Sequence, residues 1–320
     1  MTLKLRCSNK CKILILLSFF WIFGCSVLTS TQMNEVKKFA VISEKYTTLP
    51  ESLFLSYATL KRNYDLLVLS RREFGGMNDQ GNIDTSAAKK AWKDFNDIYQ
   101  RETEITKAGK RMDKAIKVLD IYTKIMKNLV SDEFSNAISK STEKLCKSID
   151  EAIDNYNGTV DEDETIDNVG GDLALIIRST TGVFIRYKQT SILREVVKDA
   201  DPMIANLMAT MEDLAINSFK PAFENYEKND LGKGFRAVAN SNKQLDVLTM
   251  EFIYENLVHV RISVDLANNI ASASRSYKAA HNKLVEKTRN KMDLELFIEE
   301  IKVFQSEIEA AQKIERNVNK

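Results

Sequence analysis

The chain reads as all-α, and three observations support this. Apolar residues recur at three- and four-residue spacing along almost the whole body, and no stretch sustains the period-two alternation of a strand. The eleven Gly and three Pro of the 320 residues fall mostly where that spacing breaks. At 44% hydrophobic and 28% charged, the chain has material for a substantial core, which excludes disordered and collagen-like classes. Its 46 basic residues nearly balance 45 acidic ones, so nothing points to nucleic acid as a partner. Long stripes with short breaks predict an elongated antiparallel bundle of about six or seven long helices.

The elements follow in order. From Glu51, the residues Leu53, Tyr57, Leu60, Tyr64, Leu67 and Phe74 lie mostly on one stripe, with Pro50 at a helix start and Gly75-Gly76 at its end. The next stripe is the most regular, running through Ala88, Trp92, Phe95, Tyr99, Ile105, Met112, Ile116, Leu119, Met126 and Leu129. Capped by Asp84 or Thr85, it predicts an unbroken helix about 65 Å long, with Gly109 as its only weak point. After Ser131, Phe134 to Tyr156 mark another helix, stopped at Asn157-Gly158.

A loop rich in acid and then Gly spans 159–171, and a helix carrying Leu173, Ile176, Ile177, Phe184 and Tyr187 is expected to end near Asp199. Asp201-Pro202 reads as a boundary, since Asp suits the N-cap and Pro the first helical position. The stripe from Ile204 to Tyr226 is expected to bend at Pro221 and to end at Gly232 and Gly234. Leu245, Leu248, Phe252, Ile262, Leu266, Ile270, Tyr277 and Leu284 define a second very long helix. Leu294, Phe297, Ile301, Phe304 and Ile308 define the last.

The N-terminus has a different character. Lys4, Arg6, Lys10 and Lys12, with no acidic residue, precede the apolar run 13–23, which is the pattern of a secretory signal peptide. The run meets Ile22-Phe23-Gly24-Cys25, an aliphatic residue three before a Cys and a small residue directly before it. This segment resembles the lipobox of bacterial lipoprotein precursors, departing from it at the bulky Phe23. The resemblance covers the signal segment only. It implies lipidation of Cys25 as the first residue of the mature chain, and a bilayer as partner through the acyl chains. Ser26, in place of the Asp that retains such proteins at the inner membrane, implies the outer membrane, facing the periplasm.

An uncleaved anchor over 13–28 is the other reading. Its 16 residues fall short of the roughly 20 needed to cross the hydrocarbon core, and it too exports the body. Residues 1–24 are thus expected to be a signal peptide, 25–32 a lipidated tether and 33–320 the helical domain. Without the four basic residues of the signal, 42 basic face 45 acidic residues, a net of −3.

The remaining candidates reduce mostly to structure. Cys7 and Cys11 lie in the signal, so Cys146 is alone in the body and can form neither an intramolecular disulfide nor a cysteine metal cluster. A di-iron bundle needs Glu-x-x-His pairs, and neither His259 nor His281 has Glu three residues before it. Their separation of 22 residues, about 33 Å along a helix, also prevents them from sharing a metal there. Both are expected to be interior, hydrogen-bonded side chains.

Asp161, Asp163, Thr165, Asp167 and Asp172 fit a calcium loop at three early positions. Ile166, however, replaces the turn Gly and Asp172 the closing Glu, which leaves a solvated acidic loop. Asn157-Gly158-Thr159 matches a glycosylation acceptor and reads as a turn. The apolar segment 173–185, broken by Arg178, is too short to span a bilayer and reads as a core helix. With no catalytic fingerprint, metal or cofactor indicated, the expectation is a non-enzymatic envelope lipoprotein that binds or scaffolds a partner the sequence does not name. The alternative is a membrane-acting helical protein of the pore-forming kind.

Overall fold

The computed structural model describes residues 27–70, 86–131, 154, 185–239, 247–289 and 294–318. Among these the protein is all-α, with no strand. The helices are α1 (Ser30–Tyr46), α2 (Leu49–Ser70), α3 (Ser86–Leu129), α4 (Ile185–Asp213), α5 (Lys220–Asn225), α6 (Gly232–Ala239), α7 (Val247–Arg289) and α8 (Leu294–Val318). Two π-helical turns, Leu214–Phe219 and Tyr226–Leu231, join α4, α5 and α6 into one helical run.

Helix α1 corrects the expected tether. Thr29 caps it through a reciprocal capping box: the Gln32 backbone N–H donates to Thr29 Oγ1, and the Thr29 N–H donates to Gln32 Oε1 at 2.8 Å. Leu28 is buried in the main core, and its backbone N–H donates to Thr190 Oγ1 on α4 at 3.1 Å. Residues 28–32 are therefore part of the folded body. Val36, Phe39, Ala40 and Tyr46 then form the buried face of α1.

Two expected breaks are also overturned. Pro202 lies inside α4, which runs through it instead of starting there. The buried line Ile192, Leu193, Val196, Val197, Ile204, Leu207, Met208 and Met211 stays in register across Pro202. Burial of so many apolar groups at roughly 1.5–3 kcal/mol each outweighs the ~3 kcal/mol an interior Pro costs. Gly232 and Gly234 likewise lie within a continuing helix. The second π turn carries the chain past them, with the Gly232 N–H donating to the Glu227 carbonyl five residues back. The first π turn precedes Pro221 and opens the ladder where a proline ring would meet a carbonyl, its closing bond running from the Lys220 N–H to Ala215 O.

The core gathers around α7, which packs on α8, α4 and α2, while α3 packs on α2 and α1. Small residues on α7 (Ala267, Ala271, Ala273, Ala280) let its neighbours approach closely. Large rings fill the space between them. Tyr277 meets Phe39 at 5.2 Å and Phe304 at 5.0 Å, both edge-on, and the Tyr46 hydroxyl pairs with Ser274 Oγ at 2.7 Å.

Helices α2 and α3 run antiparallel. Phe54 meets Gly109 near the middle, and Arg62 and Asp65 pair with Glu102 and Arg101 farther along. Here the expected stripe of α3 is corrected in its first half. Ala88, Trp92, Phe95 and Tyr99 are exposed, and the buried line runs through Ala91, Ile98 and Gly109. That line is covered because α2 lies on it, with Leu66 and Leu69 clustered on Ala91 and Ile98 and Phe54 against Gly109. The second half of the stripe, Ile116, Leu119, Met126 and Leu129, is buried as expected. The expected helix over 134–156, apart from residue 154, and all of 173–184 lie outside the described residues.

Candidate functional site

The two histidines sit on α7 in separate settings. His281 is 1% exposed and lies between α3, α4 and α1. Its Nε2 is 2.8 Å from the Tyr122 hydroxyl, and its Nδ1 is 3.2 Å from Asp201 Oδ1. The second contact is off the hydrogen-bond axis, leaving both atoms without a directed partner, so it is electrostatic. Burial pushes the imidazole down to about 4 despite the opposing pull of Asp201. The ring is therefore neutral at pH 7, with Tyr122, raised by its own burial, free to donate to Nε2. Tyrosine, histidine and aspartate in line resemble a proton relay in composition. Here the ring is packed against Phe39 and Tyr122, with centroids 6.5 and 5.6 Å away, and works as a polar joint between helices.

His259 bonds Ser56 Oγ through Nε2 at 3.0 Å, and Ser56 in turn bonds Ser263. Burial pushes this imidazole down as well. The structure thus gives both histidines hydrogen-bonded roles, His281 in the core and His259 at a part-buried position, and does not bring them together. Cys146, the acidic residues 161–172 and Asn157 lie outside the described residues, as does Cys25. Of the apolar segment 173–185, only Ile185, the first residue of α4, is described.

Two surface features remain. The first is the N-terminal edge, where the start of α1, the end of α3 and the start of α4 meet. A cleft of about 300 Å³ opens there, lined by Leu28, Met33, Asn34, Lys37, Val130 and Gln189. Gln189 closes its floor by donating to the Ser131 carbonyl at 3.2 Å. The fixed Leu28, which follows Cys25 by three positions in the sequence, lines it.

The second feature lies at the opposite end of α3. From Trp92 to Leu129 that helix spans about 55 Å. At its Trp92 end are the five most exposed large apolar side chains of the described residues: Val247 (79%), Leu248 (78%), Trp92 (73%), Tyr254 and Tyr99. The Trp92 and Phe95 rings stack at 6.0 Å. Helix α7 joins this end because Asn256 accepts from the Asn63 side chain of α2 at 3.1 Å, and the Tyr226 hydroxyl also donates to it.

No protein-family model, curated protein or solved structure matches the chain. The site must therefore be argued from these residues alone. Sequence reading missed the exposed face because it counted Trp92, Phe95, Tyr99 and Leu248 as core. The signal that could have found it is the second line Ala91, Ile98 and Gly109, whose two small members leave room for a closely packed neighbour.

Proposed function

We propose that the protein is a lipid-anchored envelope protein that works by binding or scaffolding, its body an elongated antiparallel bundle of six or seven long helices. The observation that carries this reading is the fixed Leu28. Only Ser26 and Val27 separate an acylated Cys25 from a residue locked into the core, so the acyl chains would hold the N-terminal edge directly against the bilayer. The opposite end, with its exposed aromatic residues, would then face away from the membrane. The lipobox and Ser26 favour the outer membrane, facing the periplasm.

Mass spectrometry of the intact protein tests the anchor. The mature chain should begin at Cys25 and carry acyl chains, each methylene contributing roughly 0.8 kcal/mol to membrane retention. Cys25→Ala should leave the precursor unacylated and unprocessed by that pathway. An unmodified wild-type chain retaining Met1 to Gly24 would replace the lipoprotein reading with a retained anchor. Added to dye-loaded vesicles, the protein should release no dye, and leakage would favour the membrane-acting alternative. No helix among the described residues is long and apolar enough to cross a membrane.

A further inference from the structure

The exposed end carries two surfaces that match each other. On α3 the sequence Lys89-Lys90-Ala91-Trp92-Lys93 places Lys89 and Lys93 beside the exposed Trp92. On α7 the sequence Glu251-Phe252-Ile253-Tyr254-Glu255 places Glu251 and Glu255 beside the exposed Tyr254 at the same spacing. At about 100° per residue, the two charges stand about 60° and 100° around the helix from the ring in both cases, and on the same side. One surface is therefore aromatic and basic, the other aromatic and acidic. All four charged side chains are exposed, and among the described residues none of them takes part in an ion pair.

A single chain does not satisfy its own complement. At this level α2 stands between the two helices, with Arg62 and Asp65 paired to α3 and Asn63 bonded to α7. We propose that the α3 surface docks on the α7 surface of a second copy of this chain. Because both charge pairs sit on the same side of their ring, they meet on one flank only if the two helices run antiparallel. Lys89 then faces Glu255, Lys93 faces Glu251, and Trp92 lies against Tyr254. Helices α3 and α7 both run from this end towards the Tyr122–His281 contact, so antiparallel docking inverts the second copy. The two exposed ends overlap, and the two N-terminal edges point away from each other. Apolar rings give the contact its area, and the charges give it register and exclude the like-charged pairing.

The inference rests on these exposed faces and not on the lipid anchor. Two chains held in one bilayer by Cys25 could not dock in this inverted way, so the pairing is that of bodies released from a common membrane, and either reading can fail without the other. Sedimentation velocity on the full chain in mild detergent tests it by charge exchange. Wild type should associate at micromolar concentration. K89E/K93E and E251K/E255K should each weaken association by about tenfold or more, because each sets like charges opposite one another. An equimolar mixture of the two variants, or one chain carrying all four exchanges, should recover it. Helix content by circular dichroism should be unchanged throughout, since all four side chains are solvent-facing. A monomeric wild type, association unaffected by either reversal, or no recovery in the mixture and the fourfold exchange would each overturn the proposal.

Discussion

Around Tyr277 every direction is occupied: α1 supplies Phe39 and Tyr46, α8 supplies Phe304, and α3 and α4 bring Tyr122 and Asp201 to His281 one turn away. Around Trp92, among the described residues, the same helix α3 meets α2 alone, through the small cluster of Leu66, Leu69, Ala91 and Ile98 and through ion pairs of Arg62 and Asp65. The two regions have similar apolar composition, so hydrophobicity alone does not separate a core from a surface. What separates them is the number of helices that converge. Aromatic rings in the first region contribute to stability, whereas those in the second are exposed to solvent. Around Trp92 the ion pairs Arg62–Glu102 and Arg101–Asp65 are part-exposed and contribute at most about 1 kcal/mol each.

The largest expected effect tests that contrast directly. Phe304→Ala removes a fully buried ring that touches Tyr46 and Tyr277, and should cost roughly 3–5 kcal/mol. Trp92→Ala removes a larger ring and should change unfolding free energy by no more than about 0.5 kcal/mol. Urea denaturation followed by circular dichroism gives both values. Comparable losses from the two variants would mean that the far end is as tightly packed as the near one.

The same contrast explains what could be read from sequence. Helical periodicity identified the all-α class, the full extent of α3 and the start of α8, whose last turns from 309 to Val318 lie beyond the stripe read from Leu294 to Ile308. It failed where a long-range contact overrode a local rule. Pro202 should end a helix, yet the apolar line on either side of it faces one continuous core. Gly232 should end one too, but the π turn carries it. Helix α1 was obscured because its buried face includes the polar residues Glu35 and Ser43, although Thr29-x-x-Gln32 was a legible start signal. Of the candidate sites, His281 was read correctly as interior, whereas His259 is hydrogen-bonded but only part-buried. The exposed face was misread because periodicity ranks lines on a helix by size and cannot show which one a neighbour covers.

A pH titration should sharpen the comparison next, since the ring it probes lies only in the closed region. The unfolded imidazole titrates near 6.5, while burial lowers His281 to about 4 in the fold. The folded state therefore favours the neutral ring, and the unfolded state binds more protons between those values. Stability from this group is full above about pH 6.5 and is lost as pH falls towards 4, a decline of about 3 kcal/mol from a shift of this size. Denaturant midpoints at stepped pH should show the decline in wild type and a flatter curve in His281→Gln. An equally steep curve in the variant would assign the acid sensitivity to other groups, His259 first, whose imidazole burial also pushes down.

The smallest effect concerns Gly109, which lies between the two regions, and its sign is the informative part. As a weak point in an exposed helix, Gly109 replaced by Ala should stabilise by up to about 1 kcal/mol, because Ala restricts the unfolded chain and suits the helix better. In the structure, however, a Cβ at this position would stand 2.9 Å from Phe54 Cβ. That atom is fixed to the α2 backbone and cannot swing away, so α2 and α3 would have to separate. Their separation would also loosen Phe54 from Phe219, whose rings meet edge-on at 4.8 Å. Overpacking of this kind costs roughly 1–3 kcal/mol, which exceeds the propensity gain. Gly109→Ala should therefore lower stability by about 1 kcal/mol net, with Gly109→Val worse still. Thermal unfolding of both variants against wild type decides the matter: a raised midpoint for the Ala variant would mean that α2 lies farther from α3 than this contact requires.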